Sequence, residues 1–150
     1  MKIVFHLTWL KAGHPVSRAF KLPSYYSLLS EYASRIKHFF PTDIQGGIPK
    51  PEGPVQIWLC DRTPGSKMLS SEDLAHTFQK VRDSSISNLA VVIGGPDGFD
   101  AKALQTLKPN LRWSFGSLTL PHELASVVAA EQIYRALTIL KGMPYHSGHK

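Results

Sequence analysis

The stretch Leu89-Ala90-Val91-Val92-Ile93, followed directly by Gly94-Gly95-Pro96-Asp97-Gly98, does most to decide the fold of this chain. The first part is uniformly apolar, a pattern typical of a strand that is covered on both faces within a parallel sheet. The second part is rich in glycine and contains a proline, which predicts a tight loop at the carboxyl end of that strand. We therefore expect a buried strand that delivers an open backbone loop to one edge of a sheet.

The segments around this strand alternate between strand and helix patterns. Further strands are predicted at residues 3–7, at 55–60 and at 113–120, the last including its exit loop. Helices are predicted from an N-cap at Ser24 to about Phe40, after Ser70 or Ser71, from about Ala101 to Leu107, and from Pro121 to the Gly142 stop. The alternation predicts a single α/β domain over residues 1–150, with a mainly parallel sheet flanked by helices.

One segment does not fit either pattern. From Pro41 to Pro54 the chain holds four prolines and three glycines, too many for a helix interior or a central strand. We therefore predict that residues 43–54 form a linker across the surface.

The charge of the chain bears on its partners. The net charge is +6, and residues 1–60 carry seven basic against three acidic side chains, so most of the surplus lies in the amino-terminal part. A basic surface suits a polyanion such as RNA. From charge alone, a mildly basic domain without a nucleic-acid partner is an equal alternative.

Cys60 is the only cysteine, so the chain can form neither an internal disulfide nor a cysteine-based metal site. The histidines show no ligand spacing with one another, and we expect no metal. The apolar start of the chain is short and soon interrupted, without a signal-peptide cleavage pattern or a membrane-length span. These features predict a cytoplasmic protein with no membrane partner.

In an open parallel sheet, ligands bind beyond the carboxyl ends of the strands, because loops and helix starts converge there. Three loops are predicted at that edge, after Leu59, after the buried strand described above and after the strand at 113–120. Gly94 and Gly95 would let the backbone approach a ligand closely, and Gly116 would do the same in the third loop. A tight turn without a ligand is the alternative, and neither a P-loop nor a dinucleotide fingerprint is present in the sequence.

Four separated motifs, in this order, carry a resemblance to a known family: Ile93-Gly94-Gly95-Pro96-Asp97-Gly98, Thr119-Leu120-Pro121-His122-Glu123-Leu124, Glu131-Gln132-Ile133-Tyr134-Arg135-Ala136 and Pro144-Tyr145-His146. Together they resemble the carboxyl-terminal half of the RlmH family, the small SPOUT-class methyltransferases that modify a pseudouridine of 23S ribosomal RNA. The similarity runs from about Val55 to His146 and is thin before Val55.

The resemblance implies a cofactor, a fold and partners. The cofactor is S-adenosyl-L-methionine, in a pocket made by Leu59, Gly94, Gly95 and the run Phe115-Gly116-Ser117-Leu118-Thr119-Leu120. The carboxyl-terminal segment is expected to form a trefoil knot, an exception to the rule of unknotted topology. The expected partners are a second copy of the chain, in a homodimer, and ribosomal RNA or the assembled ribosome.

Three residues of the last two motifs are candidates for catalysis. Arg135 stands four residues after Glu131, a spacing that by itself indicates only a solvated ion pair. The resemblance places Arg135 at the RNA cleft or the dimer seam, where a guanidinium suits phosphate and carbonyl oxygens. Tyr145 and His146 match the terminal motif of the family, whose tail reaches the active site of the dimer. His122, at a helix start, is expected to be structural.

The sequence departs from the family pattern in two places. Ser126 stands where the family typically has arginine, and the family's second strand and helix are replaced by the linker at 43–54. The favoured function is methylation of pseudouridine N3 in large-subunit ribosomal RNA. The alternative is a catalytically degenerate homologue that binds RNA or the ribosome, and an enzyme acting on small nucleotides is less favoured because no phosphate-binding motif is present.

Overall fold

The computed structural model describes residues 1–50 and 53–146 and contains one sheet with helices on both faces. The strands are β1 (Lys2–Leu7), β2 (Thr42–Gly46), β3 (Val55–Cys60), β4 (Lys67–Met68), β5 (Asn88–Ile93) and β6 (Leu111–Ser114). The helices are α1 (Pro23–Ile36), α2 (Ser71–Arg82), α3 (Ala101–Leu107) and α4 (His122–Leu140), with a short 3-10 helix at Val16–Ala19.

The strands of the sheet lie in the order β2-β1-β5-β3-β6-β4, and the pairings among the described strands are parallel. The buried strand singled out from the sequence, β5, lies between β1 and β3, so that Val91 pairs with Phe5 on one side and with Trp58 on the other. The predicted α/β class with a mainly parallel sheet is confirmed. All carboxyl ends of the strands therefore point to the same edge of the sheet.

Side-chain alternation along the strands divides the core into two layers. On β5, Leu89 and Val91 belong to the larger layer, against which α1, α2 and α4 pack, with α4 between the other two helices. Ala90 and Val92 belong to the smaller layer, which is closed by Leu107 of α3. Since both faces of β5 are covered, its uniformly apolar sequence is explained. Among the described residues, no helix is long and apolar enough to cross a membrane.

The prediction of a surface linker at 43–54 is wrong for its first part, because β2 extends to Gly46 and pairs with β1. β2 is an edge strand of the sheet, and an edge strand forms hydrogen bonds with a neighbour on one side only. A proline directly before it, Pro41, is therefore tolerated although it has no N–H to donate. The carbonyl oxygen of Pro41 accepts from the Ile3 N–H at 2.9 Å. A Cβ on Gly46 would lie 2.7 Å from the carbonyl oxygen of Leu10. The glycine therefore allows the backbone of β2 to pass close to the backbone at Leu10, and it does not mark a turn. The segment between α1 and β3 therefore contains a strand of the sheet.

The boundaries of α1 also differ from the prediction. The helix starts at Pro23 rather than after an N-cap at Ser24, and it ends at Ile36 rather than near Phe40. Its entry is stabilised by a carboxylate from a distant helix, because Glu123 Oε1 accepts from the backbone N–H of Lys21 at 2.8 Å. This contact holds the segment that leads into the helix and joins residues 102 positions apart, so it has no local sequence signal. The predicted capping by Ser70 is confirmed, since its side chain accepts from the N–H of Asp73.

Candidate functional site

A cleft of about 700 Å³ opens at the carboxyl edge of the sheet, where β3, β5 and β6 end next to one another. Its base is formed by the ends of these strands, and its walls are the loops that follow them, at residues 61–63, 94–99 and 115–120. The first turn of α4 closes one side through His122. The three loops predicted to converge at this edge do so in the structure.

Gly94 and Gly95 line the cleft, and their lack of side chains has a packing reason. A Cβ on Gly94 would lie 3.0 Å from Cε2 of Phe99, and a Cβ on Gly95 would lie 3.1 Å from Cβ of Trp9. The two glycines therefore let the loop fold tightly against neighbouring aromatic residues. A substitution at either position would disturb the protein itself as well as any ligand in the cleft.

The loop at 115–120 contributes side chains and shape in different ways. Phe115, Leu118, Thr119 and Leu120 line the cleft. Gly116 adopts a φ of +110°, which favours glycine. Ser117 is held from the opposite wall, since Nη2 of Arg62 donates to its carbonyl oxygen at 3.1 Å and Nη1 of the same arginine donates to the Thr119 hydroxyl. Leu118 remains 74% exposed, so its side chain is free to contact a ligand.

Leu59, the remaining predicted cofactor residue, is fully buried in the smaller core layer. The next residue along β3, Cys60, lines the cleft in its place. Burial raises the pKa of the Cys60 thiol above its ordinary value, with a smaller contribution from the neighbouring Asp61. Cys60 is therefore a neutral wall residue and not a nucleophile.

Asp61 is a site residue that the sequence analysis missed. Its Oδ2 lies 2.8 Å from Nη2 of Arg112, and its Oδ1 accepts from the Thr63 N–H at 3.0 Å. Burial raises the pKa of the Asp61 carboxyl, but the hydrogen bonds from Thr63 and the pairing with Arg112 outweigh it, so that the pKa lies below its ordinary value. Asp61 is thus a fixed anion on the wall of the cleft. The pair was invisible in the sequence because β3 and β6 are brought together only by the sheet.

The predicted catalytic residues form a second cluster. Nε of Arg135 donates to Oε1 of Glu131 at 2.7 Å, as the spacing predicted, but the two side chains are only 15% and 17% exposed. The guanidinium carbon of Arg135 lies 4.8 Å from the centroid of the Tyr145 ring. Burial, together with a hydrogen bond to Tyr32, raises the pKa of the Tyr145 phenol above its ordinary value. Tyr145 is therefore a neutral phenol at physiological pH.

His146 is held between two charged groups. Its Nδ1 lies 3.1 Å from Nη1 of Arg135, and its Nε2 lies 2.7 Å from Oε1 of Glu72. A guanidinium has donors only, so Nδ1 accepts and the proton on Nε2 is donated to Glu72. This hydrogen bond lowers the pKa of the Glu72 carboxyl. Glu72, which fixes this tautomer, is a second residue that the sequence analysis missed.

We call Arg135, Tyr145 and His146, with their partners Glu131 and Glu72, the tail cluster. The cleft and the tail cluster lie at different ends of α4. The cleft contacts the first turn at His122, whereas Arg135 lies more than three turns further on. At about 1.5 Å per residue, the two are separated by about 20 Å along the helix. A single chain therefore does not bring Arg135, Tyr145 and His146 to the cleft.

His122 itself contacts the amino-terminal part of the chain. Its ring packs edge-on against Trp9, with centroids 4.5 Å apart. Within residues 1–50 and 53–146, no group of three or more His, Cys, Asp or Glu side chains could hold a metal ion.

Comparison with known proteins gives this arrangement a family. The family model described as "Predicted SPOUT methyltransferase" matches residues 52–146. The chain belongs to the SPOUT methyltransferases. The resemblance drawn from the four motifs is confirmed, and the trefoil knot that it implies stays a prediction.

Curated relatives share the name "Ribosomal RNA large subunit methyltransferase H". The protein of Methylobacterium radiotolerans is 48% identical over 98 residues, which are 65% of this chain and 57% of the relative. The protein of Koribacter versatilis is 36% identical over an alignment 134 residues long, which covers 82% of this chain and 88% of the relative. The match to the Methylobacterium protein thus spans little more than half of that relative, whereas the Koribacter match extends into the divergent amino-terminal part.

A methyltransferase of Legionella pneumophila, solved with bound SAM, overlaps 90% of this chain and 66% of its own at 12% identity and a TM-score of 0.42. That likeness is too weak to support a conclusion about the site.

Proposed function

We propose that the protein methylates N3 of a pseudouridine in 23S ribosomal RNA, with S-adenosyl-L-methionine as methyl donor, in the cytoplasm. The observation that carries the proposal is the cleft at the carboxyl edge of the sheet, in a chain that belongs to the SPOUT methyltransferases. Six of the nine residues that the family resemblance assigns to the cofactor pocket line this cleft: Gly94, Gly95, Phe115, Leu118, Thr119 and Leu120. The names of the curated relatives support the choice of RNA.

The cleft fits the proposed cofactor in size and chemistry. Its volume of about 700 Å³ lies within the usual range for pockets that hold small molecules. Phe99, Phe115 and Leu118 provide apolar surface on which an adenine ring could pack, and the loop backbone at Gly94 is open to its polar edge. The ion pair of Asp61 with Arg112 adds a fixed polar group to one wall.

The chain's own residues have two tasks in this reaction. S-adenosyl-L-methionine supplies an already activated methyl group, so the protein aligns the two reactants and assists the loss of the N3 proton. In our proposal the cleft holds the donor, Arg135 binds the RNA and His146 accepts the proton. The neutral His146 tautomer has its lone pair on Nδ1, which is available once Arg135 turns from it to a phosphate. Tyr145 orients the target ring.

We further propose that the active unit is a homodimer, because about 20 Å of helix separates the tail cluster from the cleft in one chain. In a dimer the cluster of one copy would complete the cleft of its partner. Light scattering is expected to give twice the monomer mass. A monomer with full methylation activity would contradict the composite site.

Calorimetry with S-adenosyl-L-methionine tests the cleft. Leu118 is the best position to change, because its exposed side chain adds little to folding, whereas a residue at Gly94 would collide with Phe99. Leu118→Asp places a carboxylate in an apolar wall and is expected to weaken binding by about 10-fold or more. Ile48→Asp, at a position that is 55% exposed and outside the cleft, is the matched control. Equal binding by both variants would reject the pocket.

Transfer of a tritiated methyl group to ribosomes that lack the modification tests the reaction itself. The expected product is methylated pseudouridine in 23S RNA. Binding of both the cofactor and ribosomes without transfer would instead support the catalytically degenerate homologue.

A further inference from the structure

The segment that follows β1, residues 8–22, is an exposed basic surface, which we call the basic loop. Lys11, Arg18 and Lys21 are all exposed, and none of them takes part in an ion pair within the described residues. The sequence contains no Asp or Glu before Glu31. Because these three side chains form no ion pair in the described part of the chain, their charge is available to a polyanion.

The basic loop is anchored next to the cleft at both of its ends. At its start, the Thr8 hydroxyl donates to the Ile93 carbonyl at 2.9 Å, and Trp9 packs on His122, which lines the cleft. At its other end, the N–H of Lys21 donates to Glu123 in the first turn of α4. Lys21 therefore lies next to the first turn of α4, which borders the proposed cofactor cleft. Lys11 lies further along the same edge of the sheet, where its carbonyl oxygen would be 2.8 Å from a Cβ on Gly46 at the end of β2.

Aromatic rings accompany the cations in a row that begins at the cleft. Trp9 packs edge-on against Phe20 at 6.3 Å between centroids, and Phe20 lies 5.8 Å from Tyr26. All three rings are partly exposed rather than buried. A Trp9 Nε1–H that donates to the Ala19 carbonyl at 2.7 Å holds the row in place. Partly exposed rings interleaved with cations are typical of surfaces that bind single-stranded nucleic acid, where bases stack on rings and cations contact phosphates.

We propose that the basic loop and this aromatic row bind the single-stranded RNA next to the nucleotide that enters the cleft. The inference rests on the proposed function for the identity of the RNA as ribosomal. The surface itself is independent of methyl transfer, because it is argued from charge, exposure and ring geometry. In a double helix the bases are already stacked on one another, so they would not be available to stack on the rings of Trp9, Phe20 and Tyr26.

The test compares two triple variants with the same change in charge. Lys11→Gln, Arg18→Gln and Lys21→Gln remove the cations of the basic loop. The control variant carries Lys37→Gln, Lys80→Gln and Lys141→Gln. Lys37 and Lys141 directly follow α1 and α4, and Lys80 lies in the last turn of α2, so all three are at the edge of the sheet opposite to the cleft. The probe is a fluorescein-labelled single-stranded RNA of mixed sequence, about 12 nucleotides long, with binding followed by anisotropy between 0.05 and about 0.3 M salt.

Each phosphate contact contributes a slope of about 0.7 to the dependence of log K on log salt for single strands, so three contacts are worth about 100-fold at about 0.1 M salt. We expect the basic-loop variant to bind about 100-fold more weakly, with a slope smaller by about 2. The control variant should stay within about 3-fold of the parent protein if its lysines make no phosphate contact. Equal losses in both variants, or no binding of the probe by the parent protein, would overturn the proposal.

Trp9 gives a direct optical signal for stacking. Trp58 and Trp113 are 0% and 2% exposed, so RNA bound at this surface would quench the emission of Trp9 alone among the three tryptophans. Quenching that is absent with RNA, or present in Trp9→Phe, would remove the aromatic row from the proposal. Methyl transfer is measured in parallel: selective loss of RNA binding without any methylation by the parent protein would keep this surface and reject the proposed function. Normal RNA binding by the basic-loop variant, with methylation intact, would reject this surface and keep the proposed function.

Discussion

Acid should destabilise this protein through one buried histidine. His6 on β1 is 8% exposed, and its Nδ1 has no hydrogen-bond partner among the described residues. Burial lowers the pKa of His6 from 6.5 to about 4, against smaller opposing effects of the Gly47 backbone and Asp43. The folded state therefore keeps His6 neutral at a pH where the unfolded chain already binds a proton.

The sign follows from this difference in bound protons. Between the two pKa values the unfolded state binds more protons, so the free energy of unfolding rises with pH. The contribution of His6 is complete above about pH 6.5 and is lost as the pH falls toward the folded value. Going from pH 8 to pH 5, the two pKa values give a loss of about 2 kcal/mol, which approaches about 3 kcal/mol below pH 4.

Urea unfolding followed by tryptophan emission, at a series of pH values and one protein concentration, measures this loss. Other groups titrate in the same range, so the informative quantity is the difference between the parent protein and His6→Leu, which lacks the titrating ring. Between pH 8 and pH 5, the free energy of unfolding should fall by about 2 kcal/mol more in the parent protein than in His6→Leu. Parallel curves for the two proteins, or a His6 ring that titrates near 6.5 by NMR, would refute the reasoning.

Four further outcomes are expected. Asp61→Asn should lower the free energy of unfolding by about 3 kcal/mol, because it leaves Arg112 without its charge partner, and adding Arg112→Gln should cost less than the sum of the two changes in the same urea assay. Glu123→Ala should cost about 1 to 3 kcal/mol, because it removes the acceptor for the N–H of Lys21, and hydrogen exchange at that amide should accelerate. His146→Ala should leave cofactor binding nearly intact while slowing single-turnover methyl transfer by about 100-fold or more, whereas an unchanged rate would leave Arg135 as the remaining catalytic candidate. Truncation after His146 should cost little; residues 147–150 lie outside the part of the chain that the structure describes.

The elements that the sequence predicted well are those with a strong local pattern. β5 is apolar from Leu89 to Ile93 because both of its faces are covered, and α3 was bounded correctly at Ala101 and Leu107. The glycine loop after β5 was also placed correctly, at the edge of the cleft, because the glycines and the proline that form the turn are adjacent in the sequence.

The elements that were missed depend on partners far away in the chain. β2 is a strand because β1 offers it an edge, although its own sequence is poor in strand-forming residues. The segment that leads into α1 is held by Glu123, and the anion in the cleft depends on the pairing of Asp61 with Arg112. Glu72 was missed likewise, because its contact with His146 joins residues 74 positions apart.

Ser126 connects the departure from the family pattern to the basic loop. Its side chain is 0% exposed, and its hydroxyl donates to the carbonyl oxygen of Glu123 at 2.7 Å. A guanidinium at this position would be buried away from water, at a cost that isolated charges do not recover. The missing arginine is therefore excluded by the packing of α4 in this chain. The same turn of α4 uses the Glu123 carboxylate to hold the backbone of Lys21, so that a cation from the amino-terminal segment lies beside this turn. If the basic loop binds RNA as proposed, the cation next to this turn of α4 comes from a different element of the chain, and the position of that element depends on Glu123.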